Sequence, residues 1–119
     1  MGDGGFIAQF MSGTQVVAVT DQGWKCLVTH DAPAQKSCAK SRNPVAGQGE
    51  CGFRTKAEPN GWGAVGFDDS GWVNAIEYSA RTVRPKDGYD RISRDGFAEL
   101  IWAPDLETNN MFLCRLTME

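Results

Sequence analysis

The 119-residue chain predicts an all-β fold, an antiparallel β-sandwich. Three observations carry that expectation. Short apolar runs alternate with a period of two, turns rich in Gly, Ser, Asp, Asn and Pro separate them, and no sustained helical period or internal repeat occurs. The length suits one domain. With 14 glycines, 5 prolines and a hydrophobic content of 41 %, the chain reads as folded and turn-rich.

Taken in order, the first thirty residues hold three strands: Phe6 to Met11, Gln15 to Thr20 and Trp24 to Thr29. In the third, Trp24, Cys26 and Val28 share one face while Lys25 and Thr29 share the other, the mark of a half-buried strand. The segment 30–63, with Pro33, Pro44 and Pro59 and only scattered apolar residues, reads as a long surface loop. A loop of that length inside a compact domain needs a function or a cross-link to order it. From Trp62 to Trp72 the chain should turn sharply, because the short side-chain oxygens of Asp68, Asp69 and Ser70 accept from nearby backbone N–H groups. Val73 to Tyr78 reads as a strand or one helical turn, and Arg81 to Gly96 as loop. Two strands close the chain. Phe97 to Trp102 should set Phe97, Glu99 and Ile101 against Ala98, Leu100 and Trp102, and Met111 to Met118 should place Phe112, Cys114, Leu116 and Met118 on one face. Pro104 to Asn110 is the turn between them, and Trp24, Trp72 and Trp102 belong to the expected core.

Four cysteines, none in a C-x-x-C pair, and a single histidine argue against a zinc ribbon and for two disulfides. Three connectivities are possible. Cys26 and Cys114 lie in strand-like contexts whereas Cys38 and Cys51 bracket a polar loop, so the expectation is Cys26–Cys114 across the core and Cys38–Cys51 as a loop staple. Disulfides imply an oxidising compartment, and hence a secreted or extracellular protein. The start Met1-Gly2-Asp3-Gly4-Gly5 lacks the basic and apolar regions of a signal peptide, so a signal is expected to have been removed or replaced.

Net charge is −3, which argues against nucleic acid as a partner, and no apolar run is long enough for a membrane span. The charge is uneven. Lys36, Lys40, Arg42, Arg54 and Lys56 face only Glu50 in the middle segment, which makes a basic loop on an acidic body. Lys36, Lys40 and Arg42 are the candidate contacts to an anionic partner chain.

Trp62, four residues on Phe67-Asp68-Asp69-Ser70-Gly71-Trp72, and then Ala75 resemble the "W-x-x-x-x-FDDSxW-x-x-A" turn of galactose-binding-domain-like jelly rolls, the accessory β-sandwiches of many glycoside hydrolases and extracellular proteins. Gly4-Gly5-Phe6-Ile7-Ala8 is similar to their "GGfiA" strand, Trp24-Lys25-Cys26 to their "WKC" strand, and Leu100-Ile101-Trp102-Ala103 with Leu113-Cys114-Arg115 to their closing strands. The resemblance covers most of the chain outside the basic loop. It implies a galactose-binding-like jelly roll, and it implies that the aspartates, serine and tryptophan of the motif chiefly build a corner. Such modules carry further strands before the GGfiA strand, so this chain reads as a version short of N-terminal strands. Its open N-terminal edge strand is then expected to meet another protein chain or a second copy in a homodimer.

Chemistry points to binding without catalysis. His30 is the only histidine, no G-x-S-x-G elbow is present, and the carboxylates Asp68 and Asp69 belong to a turn, leaving Asp105 with Glu107 as the other acidic pair. Carbohydrate is the expected ligand, held by aromatic faces and by side chains that bond hydroxyls. The candidate ligand-binding residues are Trp62, Tyr78, Arg81, Tyr89, Asp90 and Arg91. No cofactor is expected, although the resemblance implies structural calcium near Asp87 and Asp90 or Asp68 and Asp69. The alternative function is structural: an assembly protein contacting another chain through the basic loop or the N-terminal edge.

Overall fold

The structure, a computed structural model, describes residues 4–86 and 88–118. Strands dominate it. In order they are β1 (Gln9–Ser12), β2 (Gln15–Val19), β3 (Lys25–Asp31), β4 (Arg54–Thr55), β5 (Val73–Asn74), β6 (Ile76–Tyr78), β7 (Leu100–Trp102) and β8 (Asn109–Arg115), with one helical turn, α1 (Ala80–Val83), between β6 and β7. Every strand pairing is antiparallel.

The central unit is β3 with β8 on one side and β4 and β5 on the other. Cys26 stands directly opposite Cys114 and Asp31 opposite Asn109. Both disulfides form as expected, Cys26–Cys114 and Cys38–Cys51. The first, however, joins neighbouring strands of one sheet, because the two cysteines are register partners, and so it clamps a strand pair instead of crossing the core. Register slips between Val28 and His30. That irregularity turns Thr29, expected on the outer face, into a buried position whose hydroxyl donates to the Met111 carbonyl at 3.3 Å.

Trp24, Cys26, Ala75 and Ile101 form the buried cluster, with Phe112 and Cys114 packed against it. It therefore joins the β3–β8 sheet to β7. Strand β7 is buried at Leu100 and Ile101, followed by Ala103 at 0 % exposure, so neither of its faces is free and the alternation expected there is absent. Regular structure also begins later than expected: Phe97 is 81 % exposed and Leu100 is the first paired residue. Segment 81–96 is not wholly loop, since α1 ends within it and Tyr89–Arg91 form a 3-10 turn. Within 30–63 the chain adds β4 and two 3-10 turns, Lys36–Lys40 and Gly49–Cys51, which the second disulfide links.

The N-terminal segment is tied down at three points. Phe6 exchanges backbone hydrogen bonds with Ile101, and Ala8 accepts from the Thr20 N–H. The Thr20 hydroxyl, fully buried, donates to the Glu99 carbonyl at 2.7 Å and accepts from the Ala8 N–H. Gly4 and Gly5 lie so close to the body that a Cβ would run into the Trp102 ring at Gly4 and fall 2.6 Å from Val83 at Gly5. Only glycine allows that approach. The strand expected from Phe6 is regular only over Gln9–Ser12, where it pairs with β2, whose extra residue Val17 bulges opposite the Phe10–Met11 step.

Candidate functional site

Two concavities flank the β3–β8 pair. The first, of about 280 Å³, lies among Phe10, Trp24, Trp62, Leu116 and Met118. It is mainly apolar. Its rim depends on the corner that follows Trp62, and the pin of that corner is Arg115. This side chain on β8 is 9 % exposed; it donates from Nη1 to the Trp62 carbonyl at 2.8 Å and from Nη2 to the Ala64 carbonyl at 3.2 Å. Its guanidinium lies 5.0 Å from the centre of the Phe67 ring, and its Nε is 3.4 Å from Asp69 Oδ2. Phe67 in turn meets Trp72 edge to face at 5.7 Å, and Asp68 accepts from the Ser70 N–H at 3.0 Å. The Ser70 hydroxyl and N–H hold the Asp68 carboxyl below its ordinary pKa. The Phe67–Trp72 stretch is therefore a built corner. Its two carboxylates have Ser70 and Arg115 as partners. Asp87, named with Asp90 as the other calcium candidate, lies outside the described residues. Among the described residues no three His, Cys, Asp or Glu side chains cluster.

The second concavity is a groove of about 520 Å³ on the other side of β3. The sheet is interrupted beside it. β5 pairs with Lys25 and Cys26, and β4 with His30 and Asp31, so no strand lies beside Leu27 and Val28 there. Trp72 and Val73 form one wall; Pro104, Asp105, Thr108 and Asn109, from the turn before β8, form another. Asp31 and Arg54 stand at its end.

These polar groups are wired to one another. Asp31 Oδ1 accepts from Asn109 Nδ2 at 2.7 Å, while its Oδ2 lies 3.7 Å from Arg54 Nε. The Asn109 Oδ1 accepts from the Asp105 N–H at 2.7 Å. Asp105 receives the N–H groups of Glu107 and Thr108 and pairs with Lys36 at 3.2 Å. Burial would raise the Asp105 pKa, but the hydrogen bonds from Glu107, Lys36 and Thr108 outweigh it and hold the carboxyl below its ordinary value. Asp31, Asp105, Arg54 and Asn109 line the groove beside an indole and a proline, and Lys36, outside the lining, balances the Asp105 charge.

Comparison with known proteins finds no matching family, curated protein or solved structure. Function must therefore be argued from the groups in place.

The six ligand-binding candidates do not converge. Trp62 lines the apolar cleft, half-buried, with its Nε1 donating to Glu58 at 3.2 Å. Tyr78 anchors the turn that carries Asp105, its hydroxyl lying 2.9 Å from the Pro104 carbonyl and 3.2 Å from that of Ala103. Burial raises its pKa, as does the nearby Asp105 charge, while Lys36 offsets part of this. Arg81 is exposed on α1. Tyr89, Asp90 and Arg91 share one 3-10 turn, where the Arg94 guanidinium covers the Tyr89 ring at 4.4 Å. Of the partner-contact candidates, Lys36 is engaged by Asp105, whereas Lys40 and Arg42 are exposed. His30 stacks on Phe53 at 5.5 Å and meets Thr55 Oγ1 at 3.3 Å.

Asp31, Arg54, Thr108 and Asn109 were not among the candidates. One signal could have found two of them. Asp31 lies five residues after Cys26 and Asn109 five before Cys114, so a clamp between antiparallel neighbours would set them opposite each other.

Proposed function

We propose that this protein is a non-catalytic, extracellular binding module of galactose-binding-like jelly-roll type whose ligand is a carbohydrate held in the groove beside β3. The observation that supports this most is the convergence of Asp31, Arg54, Asp105 and Asn109 on a groove walled by Trp72. Carboxylates and amides accept from and donate to vicinal hydroxyls, a guanidinium donates to ring or hydroxyl oxygens, and an apolar wall suits the C–H face of a sugar. The balanced charge favours a neutral sugar. Its volume lies in the range of small-ligand sites. Two disulfides fit an extracellular setting.

A glycan array with the wild type and with Arg54→Ala and Asn109→Ala variants tests the reading. Binding to neutral glycans that falls at least tenfold in both folded variants supports it; wild-type protein that binds no glycan rejects it. Trp62→Ala and Tyr89→Ala in the same assay separate the groove from the candidates that lie elsewhere. A second reading, an assembly protein docking an acidic partner on its basic loop, draws on the exposure of Lys40 and Arg42. Neutralising those two residues should abolish partner binding and leave glycan binding intact.

A further inference from the structure

The molecule is too open for its mass. It exposes 8287 Å², whereas a folded monomer of 13.0 kDa is expected to expose about 6,300 Å². Its radius of gyration is 16.3 Å, with extents of 53 × 36 × 16 Å, against about 13.5 Å for a compact chain of this length. The surplus of about 1,900 Å² exceeds the ~800 Å² that each partner buries in a standard interface.

One edge accounts for how that surface is used. Among the described residues β8 pairs with β3 alone, and no strand lies on its outer side. Among the described residues β1 and β2 pair only with each other; β1 is four residues long and β2 bulges at Val17, which blunts both as pairing templates. β8 has seven residues, and its Phe112–Arg115 half is regular, with no proline and a single charge, Arg115, already engaged by the corner. Beyond the bulge at Asn110, none of the usual guards against edge pairing is present there.

The register shows which groups are offered. Cys26 and Cys114 are opposed with Cα atoms 4.2 Å apart, the spacing of a pair that does not exchange backbone hydrogen bonds. The N–H and C=O groups of Cys114, and of Phe112 two residues before it, therefore point away from β3. We infer that β8 pairs antiparallel with β8 of a second copy about a two-fold axis at Leu113, with Phe112 of each copy exchanging hydrogen bonds with Cys114 of the other. That register sets the single charge, Arg115, opposite Met111 of the second copy and not opposite itself. The apolar cleft beside β8, with Leu116 and Met118 on its lip, lies next to the incoming strand. A two-fold contact of this kind is closed and produces a dimer, not a filament.

Sedimentation equilibrium of the intact disulfide-bonded chain at micromolar concentrations should give twice the 13.0 kDa monomer mass. Leu113→Lys, which places like charges across the axis, should weaken the dimer at least tenfold. In the wild type, amide exchange at Phe112 and Cys114 should slow as concentration rises, and mildly oxidised Leu113→Cys should form a covalent dimer. A monomer at every concentration overturns the inference. So does a dimer in which exchange at Phe112 and Cys114 is independent of concentration, because that dimer uses another surface.

Discussion

The two flanks of β3 differ in kind. On one side β8 runs along its full length, locked in register by Cys26–Cys114; on the other, β4 and β5 contribute two residues each and leave the middle of the strand bare. The complete flank supplies order. The interrupted flank adjoins a recess, and the complete one determines which side chains stand at its end, because the β3–β8 register opposes Asp31 to Asn109. The groove proposed to hold the ligand adjoins the interrupted half of a sheet whose other half is clamped.

Breaking the clamp should produce the largest effect. The Cys26–Cys114 loop spans 88 residues, and replacing both cysteines with alanine should cost about 4.5 kcal/mol in denaturant unfolding by the chain-entropy relation. The Cys38–Cys51 loop spans 13 residues, so the same replacement there should cost about 3 kcal/mol. The first pair should also disorder the Asp31–Asn109 contact. The second should leave it in place.

Arg115→Met comes next. It keeps the packing volume but leaves the Trp62 and Ala64 carbonyls without their donor and Asp69 without its cation, at a cost of about 2 to 3 kcal/mol. Near-ultraviolet circular dichroism should report loosening of the Trp62–Trp72 corner, with the β3–β8 pair intact.

Arg54→Ala sharpens the contrast from the open flank. The Arg54–Asp31 pair is largely exposed on the arginine side, so stability should change by less than about 1 kcal/mol. Glycan affinity should fall at least tenfold. A variant that loses stability and keeps affinity would reverse the roles assigned to the two flanks.

The smallest effects are in pH dependence. Asp105 has a folded pKa below its unfolded value, so its contribution to stability is present above an unfolded pKa of about 3.9 and is lost as pH falls through the folded value. Asp105→Asn should flatten the acid limb of the unfolding curve. Tyr78 behaves in the opposite sense: its pKa is raised, so its contribution is present below about 10 and is lost as pH rises through the folded value. In Asp105→Asn the absorbance titration of Tyr78 should shift downward, since one of the charges that raises it is gone.

Local pattern carried much of the fold. Period-two runs located β2, β3 and β8, and the contrast between strand-like and loop-like cysteines gave both bridges. Long-range geometry was less legible. Thr29 became buried through a register slip that no local pattern encodes, and β7 lost its alternation because Leu100 and Ile101 are covered from both sides. The groove was hidden for a related reason. Asp31, Arg54 and Asn109 are far apart in the chain and unremarkable singly; they meet because two neighbouring strands align and a two-residue strand returns beside them. Aromatic residues in loops drew attention to Trp62, Tyr78 and Tyr89 instead, and these anchor or line other parts of the surface.

The most direct test is a chemical-shift titration of the intact, isotope-labelled protein with a neutral glycan selected from the array. The groove reading predicts that the largest shifts fall at Asp31, Arg54, Trp72, Asp105 and Asn109, with Tyr89 to Arg91 unmoved. Shifts confined to the Tyr89–Arg91 turn or to the Trp62 cleft, with the groove silent, would contradict it.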